Sequence, residues 1–428
     1  MARRFVLCLA LVVLCAAPAL FAAGSSEKVT LTVWDLKYSE TSDTGAQAPM
    51  KANDAAFMKL YPNVTINHVA QPGEPQYYQI IQATASAGKG PDVVLFHPGT
   101  RANQFDDILV DLGPYIKDVK DQFTADSIAA CSNKEGKVKL LPLTMQGFGF
   151  YYNKDYFRKA GLDPEKAPKT AEEFLAACDK LQRAGIVPVS VGQTYTIDFI
   201  LRCFVANVFG PNVGGLADGS AKFTDNPQFK EGLEFVKTLV DKGYLEKEGF
   251  SRPYFMDGID KFAAGGGGMF MGLLSDVGNW FVFSKKLGAS NVGYFPTVNF
   301  PDSKYKDLQM AQGAGIGYGV MTWSKSKEVA ASYVKYVTTG EGAKTYASMT
   351  GAMSPLTSST GLEASFPALK VIQGYLKNTA KDYISGVFKD YGGYEDDSNR
   401  LLDQLFVTGQ ISVDDFISQY QNLITGKN

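Results

Sequence analysis

Residues 88–101 have the sequence GKGPDVVLFHPGTR, and this stretch decides the fold class. Its apolar run Val93–Phe96 lies between two prolines, the pattern of a strand buried on both faces of a parallel sheet. Upstream, VTLTVWD (Val29–Asp35) alternates like a strand, a segment with helical spacing follows, and VTINHV (residues 64–69) is a second strand. The succession of strand, helix, strand, helix and strand predicts an α/β fold.

Two segments further along the chain have the end signals of helices. In KTAEEFLAACDKLQRAG, Thr170 is in the position of an N-cap with Glu173 three residues later, and Gly185 follows the last apolar residue. In DNPQFKEGLEFVKTLVDKG, Asn226 precedes Pro227 at the first turn. Both segments have one apolar stripe, so we predict helices that pack on a core.

Length and composition favour two globular lobes. The chain has 428 residues, of which 45% are hydrophobic, and this exceeds one ordinary domain. The 42 basic residues nearly balance the 44 acidic ones, so the sequence contains no basic stripe for nucleic acid. The chain has only two histidines, and no ligand spacing supports a metal site.

Two glycine-rich stretches do not have the features of phosphate-binding loops. FAAGGGGMFMG (residues 262–272) lacks the Gly-Lys-Ser/Thr ending, and GAGIGYG (residues 313–319) does not connect a first strand to a helix. Glycines that let backbone pass close to its neighbours are the better interpretation. We therefore expect no cofactor.

The first residues predict export. Arg3 and Arg4 precede an apolar run that ends at Leu14, and small residues follow, which is typical of a secretory signal peptide over residues 1–24. A membrane anchor is the alternative, but the apolar stretch is short for a bilayer span. Cys15 lacks the small preceding residue of a lipidation site, so we expect a periplasmic or otherwise extracytoplasmic protein without a lipid anchor. After cleavage, at most one disulfide can form among the remaining cysteines, which are Cys131, Cys178 and Cys203.

Four segments resemble a known family. They are GKGPDVVLF, then KVKLLPLTMQGFGFYYNKDYFRKAGLDPEKAPKTAEEF, then KFAAGGGGMFMG, and finally the stretch from GAGIGYGVMTW to TGAMSP. In this order they resemble the extracellular solute-binding proteins of ABC transporters, in particular the carbohydrate-binding group that includes maltose-binding protein. The block YYNKDYFRKAGL followed by P-x-T-x-x-E-F is the most specific part.

The resemblance implies a two-lobed periplasmic-binding-protein-like fold with a hinge and a ligand cleft between the lobes. The chain would cross between lobes around residues 143–149 and 313–322. The N-terminal lobe would hold residues 27–143 plus 320–356, and the C-terminal lobe residues 148–312 plus 357–428. The expected partners are a small carbohydrate and the permease subunits of an ABC importer, and we expect a monomer with no catalytic activity.

Sugar sites combine aromatic faces with a few planar polar groups. Within TMQGFGFYYNKDYF (residues 144–157), we interpret Phe150, Tyr152 and Phe157 as core and Gln146 as the side chain that faces the cleft. By the resemblance, the candidate ligand contacts are Trp34, Asp35, Tyr38, His97, Arg101, Gln146, Tyr195, Asp198, Asp276, Trp280 and Tyr394.

Several of these residues have a plainer alternative. Trp34 could be core and Asp35 a turn cap, Arg101 could be solvated, and Asp198 could be only an N-cap. Many relatives have a stacking Trp soon after the strand in MFMGLLSDVGNW. Here, either Trp280 replaces it through a shifted loop, or stacking is lost and Asp276 supplies polarity.

Two alternatives to carbohydrate binding remain open. A secreted glycoside hydrolase would use a pair of carboxylates on cleft loops, such as Asp35 and Asp276. Alternatively, the same fold could bind a polyol, a sugar phosphate, a polyamine or a metal chelate. An anionic ligand would need several cations in the cleft, and the sequence offers only Arg101 as an obvious candidate. A neutral ligand is therefore favoured.

Overall fold

A computed structural model describes residues 27–39, 46–72, 76–209, 221–252, 255–274, 278–301, 303–356, 366–376, 379–380 and 394–425. The predicted signal peptide and Asp276 lie outside these ranges. No helix in the described part of the chain is both long and apolar enough to span a membrane.

The first part of the chain alternates strands and helices, as predicted. The elements are β1 (Val29–Asp35), α1 (Gln47–Leu60), β2 (Val64–Ala70), α2 (Gln76–Ala87), β3 (Val93–Phe96), α3 (Thr100–Asn103), α4 (Ala125–Ala130) and β4 (Leu141–Pro142). Short 3-10 helices lie at Asp106–Ile108, Gly113–Tyr115 and Lys120–Gln122.

The middle of the chain adds the elements β5 (Gln146–Asn153), α5 (Lys154–Lys159), α6 (Ala171–Arg183), β6 (Val189–Ser190), α7 (Tyr195–Phe209), α8 (Pro227–Asp241), α9 (Phe255–Ala263), β7 (Met269–Leu273), α10 (Asn279–Leu287), β8 (Val292–Phe295) and β9 (Gln309–Gln312). Two further 3-10 helices are Lys247–Ser251 and Ala289–Asn291.

The last part contains β10 (Gly317–Val320), α11 (Lys327–Thr338), α12 (Gly340–Thr350), α13 (Pro367–Tyr375), β11 (Thr379–Ala380), α14 (Tyr394–Leu402), a π-helix at Asp403–Val407 and α15 (Val413–Thr425).

The described strands form two separate sheets. The first has the order β2-β1-β3-β10-β4, in which β1 runs parallel to β2 and β3 while β10 is antiparallel to β3 and β4. The second has the order β11-β9-β5-β7-β6, with β8 also paired to β5. We name each sheet with the helices packed on it the first lobe and the second lobe. The predicted α/β class and two-lobed architecture are confirmed.

The sequence signals at helix ends have the expected geometry. Thr170 Oγ1 accepts a hydrogen bond of 3.1 Å from the Glu173 amide, and Glu173 Oε2 accepts one of 2.7 Å from the Lys169 amide. Asn226 Oδ1 accepts one from the Gln228 amide at 3.1 Å. Both helices therefore begin at the predicted residues, because the caps satisfy amides that the first turn leaves unpaired.

Each lobe has its own apolar core. Leu31, Val33 and Val93 are fully buried in the first lobe. In the second lobe, Phe150, Tyr152 and Phe157 are buried, which confirms their interpretation as core residues.

Within the described ranges, three segments connect the lobes. Residues 143–145 lead from β4 to β5, and residues 313–316 lead from β9 to β10. These two crossings bond to each other, since the Leu143 amide donates to Ile316 at 2.9 Å and the Gly315 amide donates to Thr144 at 2.8 Å. The third, residues 351–356, contacts both lobes, since the Met353 amide donates to the Leu274 carbonyl at 3.3 Å and the Thr124 amide donates to the Pro355 carbonyl at 3.2 Å. A crossing near this point was implied by the predicted lobe boundary at residues 356 and 357. The exact lobe boundaries stay a prediction.

Candidate functional site

The crossings leave the first sheet at one edge. The parallel strands β1, β2 and β3 all end there, and Gly317 of β10 pairs with both Phe96 and Pro142, the last residues of β3 and β4. The loops after β1 and β3 therefore lie beside both crossings. In sheets of this kind, ligands bind outside the carboxyl ends of the strands.

The second sheet presents the corresponding edge to the same crossings. Gln146, the first residue of β5, pairs with Gln312, and Phe148 pairs with Leu273, the last residue of β7. Strand β6 runs parallel to β7, so it ends on this side as well. The carboxyl edges of the two sheets thus lie on opposite sides of the crossings, and we call the space between them the cleft.

Three predicted residues meet at the first lobe's cleft edge. Trp34 is half-buried near the end of β1, and its carbonyl accepts a hydrogen bond from the Tyr77 hydroxyl at 3.3 Å. The His97 amide donates to the Tyr78 hydroxyl at 3.3 Å, and the Arg101 guanidinium lies 5.2 Å from the centroid of the same ring. The neighbouring tyrosines of α2 therefore tie Trp34, His97 and Arg101 to one edge.

The structure corrects the expected role of Asp35. Its side chain is buried, and Oδ1 accepts a hydrogen bond of 2.6 Å from the Lys37 amide, so it caps the turn after β1. Its Oδ2 accepts one of 2.5 Å from the Tyr318 hydroxyl and lies 3.3 Å from His68 Nε2. These contacts point into the first lobe, and we replace the predicted ligand contact with this interior role.

Tyr38 belongs to the same buried cluster. Its ring stacks on the His68 ring with centroids 4.0 Å apart, and 8% of the residue is exposed. The second ring nitrogen of His68, Nδ1, lies 3.0 Å from Asp54 Oδ2. The Tyr333 hydroxyl donates to Asp54 Oδ1 at 2.6 Å. The ring of Tyr38 is thus used for packing on His68, and we no longer propose it as a ligand contact.

Burial alone lowers the pKa of His68, because desolvation disfavours the imidazolium. Hydrogen bonds and charge attraction from Asp35 and Asp54 outweigh this effect and raise the pKa of His68 to about 9. The imidazole is therefore protonated at neutral pH and lies between two carboxylates.

Gln146 and Tyr195 lie at the second lobe's cleft edge. Gln146 is half-buried, and its Oε1 accepts a hydrogen bond of 3.3 Å from the Gly147 amide. Tyr195 is the first residue of α7 and is half-buried. One turn later, Phe199 stacks on Phe148 with centroids 4.2 Å apart, which brings the start of α7 next to the start of β5.

Asp198 is buried, and its Oδ2 lies 2.6 Å from Arg202 Nη2. The Arg202 guanidinium lies 5.5 Å from the Phe148 ring centroid and 5.7 Å from that of Phe199. Asp198 therefore holds a buried cation against these rings. The ion pair uses Oδ2, and a ligand contact of Asp198 stays a prediction. Arg202 had no signal in the sequence beyond its i,i+4 spacing.

Trp280 is also corrected. Only 1% of the residue is exposed, and its ring makes edge contacts with Phe281 and Phe366 at centroid distances of 5.5 and 5.2 Å. It therefore packs in the core of the second lobe and does not replace a stacking Trp in the cleft. Asp276 lies outside the described residues, and so does the side chain of Tyr394 at the start of α14.

Cys131, Cys178 and Cys203 are all buried. Burial raises the pKa of the Cys131 and Cys178 thiols, which keeps them protonated and unreactive.

One cavity of about 680 Å³ lies away from the cleft. It is lined by Tyr152 and Lys154, at the opposite end of β5 from Gln146, together with residues of α6 and α13. Lys154 Nζ lies 2.6 Å from Glu165 Oε2 at its rim. This cavity belongs to the second lobe alone.

Sequence comparison gives a family match and a partial relative. The chain matches the family model described as bacterial extracellular solute-binding protein over residues 38–344. The sn-glycerol-3-phosphate-binding periplasmic protein UgpB of Brucella abortus strain 2308 is 33% identical over 128 residues, which is 29% of this chain and 30% of that protein. The match thus spans less than a third of the relative's length.

Solved structures share the fold. A chitin oligosaccharide binding protein superposes with a TM-score of 0.78 at 22% identity, covering 94% of this chain and 99% of the other. The maltose-bound MalE3 of T. maritima gives a TM-score of 0.76 at 18% identity, covering 93% and 99%. The resemblance to solute-binding proteins of ABC transporters is confirmed. Since the family model covers well over half of the 428 residues, this chain belongs to the bacterial extracellular solute-binding protein family.

Proposed function

We propose that this protein captures a carbohydrate in the cleft between its lobes, outside the cytoplasm, and delivers it as a monomer to the permease of an ABC importer. One observation carries the proposal. The carboxyl edges of the two sheets face each other across three crossings, with Trp34 on one edge and Gln146 and Tyr195 on the other. Family membership supports the same role.

The side chains at these edges suit a sugar. The Trp34 ring offers an apolar face for the C–H side of a pyranose. The Gln146 amide can both donate and accept hydrogen bonds, and the Tyr195 hydroxyl can do the same. A ligand that contacts both edges at once stabilises the closed arrangement, so binding shifts the equilibrium between open and closed forms. The names of the two similar structures, which refer to a chitin oligosaccharide and to maltose, support this ligand class.

A phosphorylated ligand, either a sugar phosphate or a polyol phosphate such as sn-glycerol 3-phosphate, is the second candidate. The relative from Brucella abortus is named for that ligand, and Arg101 at the first lobe's edge supplies a cation that could pair with phosphate. A phosphate ligand would bind more weakly as salt concentration rises, because its contacts are charged. A neutral sugar would show little salt dependence.

The hydrolase alternative loses support. Asp35, one of its two carboxylates, accepts hydrogen bonds from Tyr318 and the Lys37 amide inside the first lobe. Members of the family are binding proteins. We therefore propose that the protein binds its ligand without turnover.

A thermal-shift screen of the protein without residues 1–24 tests the proposal. The panel contains malto-, xylo- and chito-oligosaccharides, the matching monosaccharides and sn-glycerol 3-phosphate. A ligand at a hundredfold its Kd adds about 2.7 kcal/mol of stability, so we expect a clear rise in Tm with a neutral sugar. A rise with sn-glycerol 3-phosphate alone would favour the second candidate, and release of shorter sugars during incubation would favour the hydrolase.

A further inference from the structure

The segment that connects β6 to α7, residues 191–194, forms part of the second lobe's cleft edge, and we call it the cleft loop. Gln193 in this loop has a φ of 63°, in the left-handed region that residues other than glycine rarely adopt. Such a backbone persists only when the surrounding structure holds it in place. The contacts around the loop show what does so.

Glu246 is the first of these contacts. Its side chain is 2% exposed, and its Oε2 accepts a hydrogen bond of 3.3 Å from the Val191 amide. Its Oε1 lies 2.6 Å from Arg252 Nη2 and also pairs with Lys261 Nζ. Burial raises the pKa of Glu246, but the hydrogen bonds from Arg252 and Lys261 outweigh this and lower it, so the carboxylate stays charged. A buried charge with this set of partners fixes its surroundings in one arrangement.

Arg252 completes the attachment. Its guanidinium donates to the Val191 carbonyl, so both backbone polar groups of Val191 are held by one ion pair. The Gln193 side-chain amide donates to the Arg252 carbonyl at 2.8 Å, and the Gln193 backbone amide donates to the Gly249 carbonyl at 3.2 Å. The strained residue is thus bonded to the same short segment, 246–252.

Close packing holds the loop from a second direction. A Cβ added to Gly192 would lie 2.6 Å from Phe255 Cδ2, and one added to Gly258 would lie 2.6 Å from the Gly192 Cα. A larger residue at Gly192 would have to displace the Phe255 ring, and one at Gly258 would have to displace the backbone at Gly192. Helix α9, which contains Phe255 and Gly258, therefore presses directly on the loop.

The far end of the loop is attached to α7 and to the C-terminal helices. The Gly192 amide donates to Thr196 Oγ1 at 2.8 Å. The Thr194 hydroxyl donates to Asp403 Oδ1 at 2.6 Å, and Asp403 is the first residue of the π-helix. Tyr195, a candidate ligand contact, thus lies between residues whose positions are set from both sides.

We propose that Glu246 and Arg252 are positioning residues that hold the cleft loop in its strained shape and so set ligand affinity without touching the ligand. The inference rests on the proposed function, because it assumes that Tyr195 and its neighbours face the ligand. A loop ordered before binding loses less conformational entropy on binding, which favours affinity.

The main test is Glu246→Gln, which keeps the size of the side chain and removes its charge. The matched control is Asp241→Asn, since Asp241 is an exposed carboxylate of the same lobe, paired with Lys237 at 2.7 Å. Amide hydrogen exchange over residues 186–199 is measured without ligand, and affinity is measured with the sugar found in the thermal screen. We expect about tenfold faster exchange and about tenfold weaker binding for Glu246→Gln, and no change in either for the control.

A second pair of variants distinguishes backbone positioning from direct contact, and it also serves if Glu246→Gln fails to fold. Gln193→Gly allows a positive φ, whereas Gln193→Val disfavours it. We expect the glycine variant to bind more tightly than the valine variant by about tenfold. Equal losses in both would mean that the Gln193 side chain itself contacts the ligand, and would overturn the proposal.

The remaining outcomes separate this inference from the proposed function. Unchanged exchange in Glu246→Gln overturns the inference, and so does faster exchange with wild-type affinity. A wild-type protein that binds no member of the panel refutes the proposed function instead. In that case, the exchange measurement decides by itself whether Glu246 holds the loop.

Discussion

The Met145 amide donates a hydrogen bond of 2.7 Å to the Met353 carbonyl. This bond joins the first crossing to the third, and the first is already bonded to the second through Thr144 and Gly315. The three crossings therefore form one hydrogen-bonded strip beneath the cleft. A change in the angle between the lobes would therefore act on all three segments together.

Substitution of Gly351, at the start of the third crossing, tests how tightly this strip is packed. Its φ is 70°, and an added Cβ would overlap the Phe281 side chain. We expect Gly351→Ala to lower the free energy of unfolding by about 1–3 kcal/mol, as measured by urea denaturation. The control is Gly374→Ala on α13, where nothing lies within 4 Å of an added Cβ, so the effect should be neutral or slightly stabilising. Equal stabilities of the two variants would contradict the placement of Gly351.

We expect Trp280 to contribute to the stability of the fold and not to contact the ligand. Removing this buried ring leaves a cavity, so Trp280→Ala should lower the free energy of unfolding by about 3–5 kcal/mol. Trp280→Phe, which keeps most of the packing, should be less destabilising. For each variant, denaturant titration measures the free energy of unfolding, and a ligand titration under conditions where the protein is folded measures the Kd. Weaker ligand binding combined with wild-type stability would contradict the buried position of Trp280 and indicate that it contacts the ligand.

Trp34 and Trp323 form a matched pair for the cleft. Both are half-buried, but Trp323 Nε1 donates to the Pro91 carbonyl at 2.8 Å, at the opposite end of β3 from the cleft. We expect Trp34→Ala to weaken sugar binding about tenfold, since a stacked ring contributes on the order of 1.4 kcal/mol. Trp323→Ala should leave the Kd unchanged in the same calorimetric titration. An equal loss of affinity in both variants, or a larger loss in Trp323→Ala, would contradict a ligand site at the carboxyl edge of the first sheet.

His68 gives a pH dependence of known sign. Its pKa is raised from 6.5 to about 9 in the folded protein, so the folded state binds its proton more tightly than the unfolded chain does. The resulting stability is fully present below pH 6.5 and is lost as pH rises through about 9, with an upper bound of about 3 kcal/mol. Urea denaturation at pH 6 and pH 9.5 measures this difference.

The variant His68→Gln removes this group, which gives the control for its pH dependence. It should be less stable than the wild type at pH 6, and its stability should change less between the two pH values. A wild-type protein that is equally stable at both values would contradict a protonated His68 between Asp35 and Asp54.

Local signals made the helices and strands predictable, and tertiary contacts decided the rest. Thr170 and Asn226 cap their helices through amides only two or three residues away, so the pattern was visible in the sequence. The roles of Asp35 and Trp280 depend on partners far along the chain, Tyr318 and Phe366. An acidic and an aromatic side chain both suit a sugar site, so the sequence favoured that role. Only the tertiary contacts show that Asp35 and Trp280 lie in the interior.

The strained loop had no signal in the sequence. Glutamine has no preference for the left-handed region, and the φ of Gln193 results from bonds to Gly249 and Arg252. The resemblance did point to Gln146 and His97, at the ends of β5 and β3, and to Arg101 and Tyr195, in the helices that follow β3 and β6 on the side where the sheet order places the cleft. Their contact with a ligand stays a prediction.

The distance between the lobes with and without ligand tests the central claim most directly. Spin labels on cysteines introduced at Gln76 and Glu172, exposed residues of the first and second lobes, report this distance in the protein without residues 1–24, because the three cysteines that the structure describes are buried. We predict that a saturating neutral sugar shifts the distance distribution to one new population, and that Trp34→Ala raises the sugar concentration needed. A sugar that binds tightly and leaves the distribution unchanged would contradict ligand capture between the two lobes.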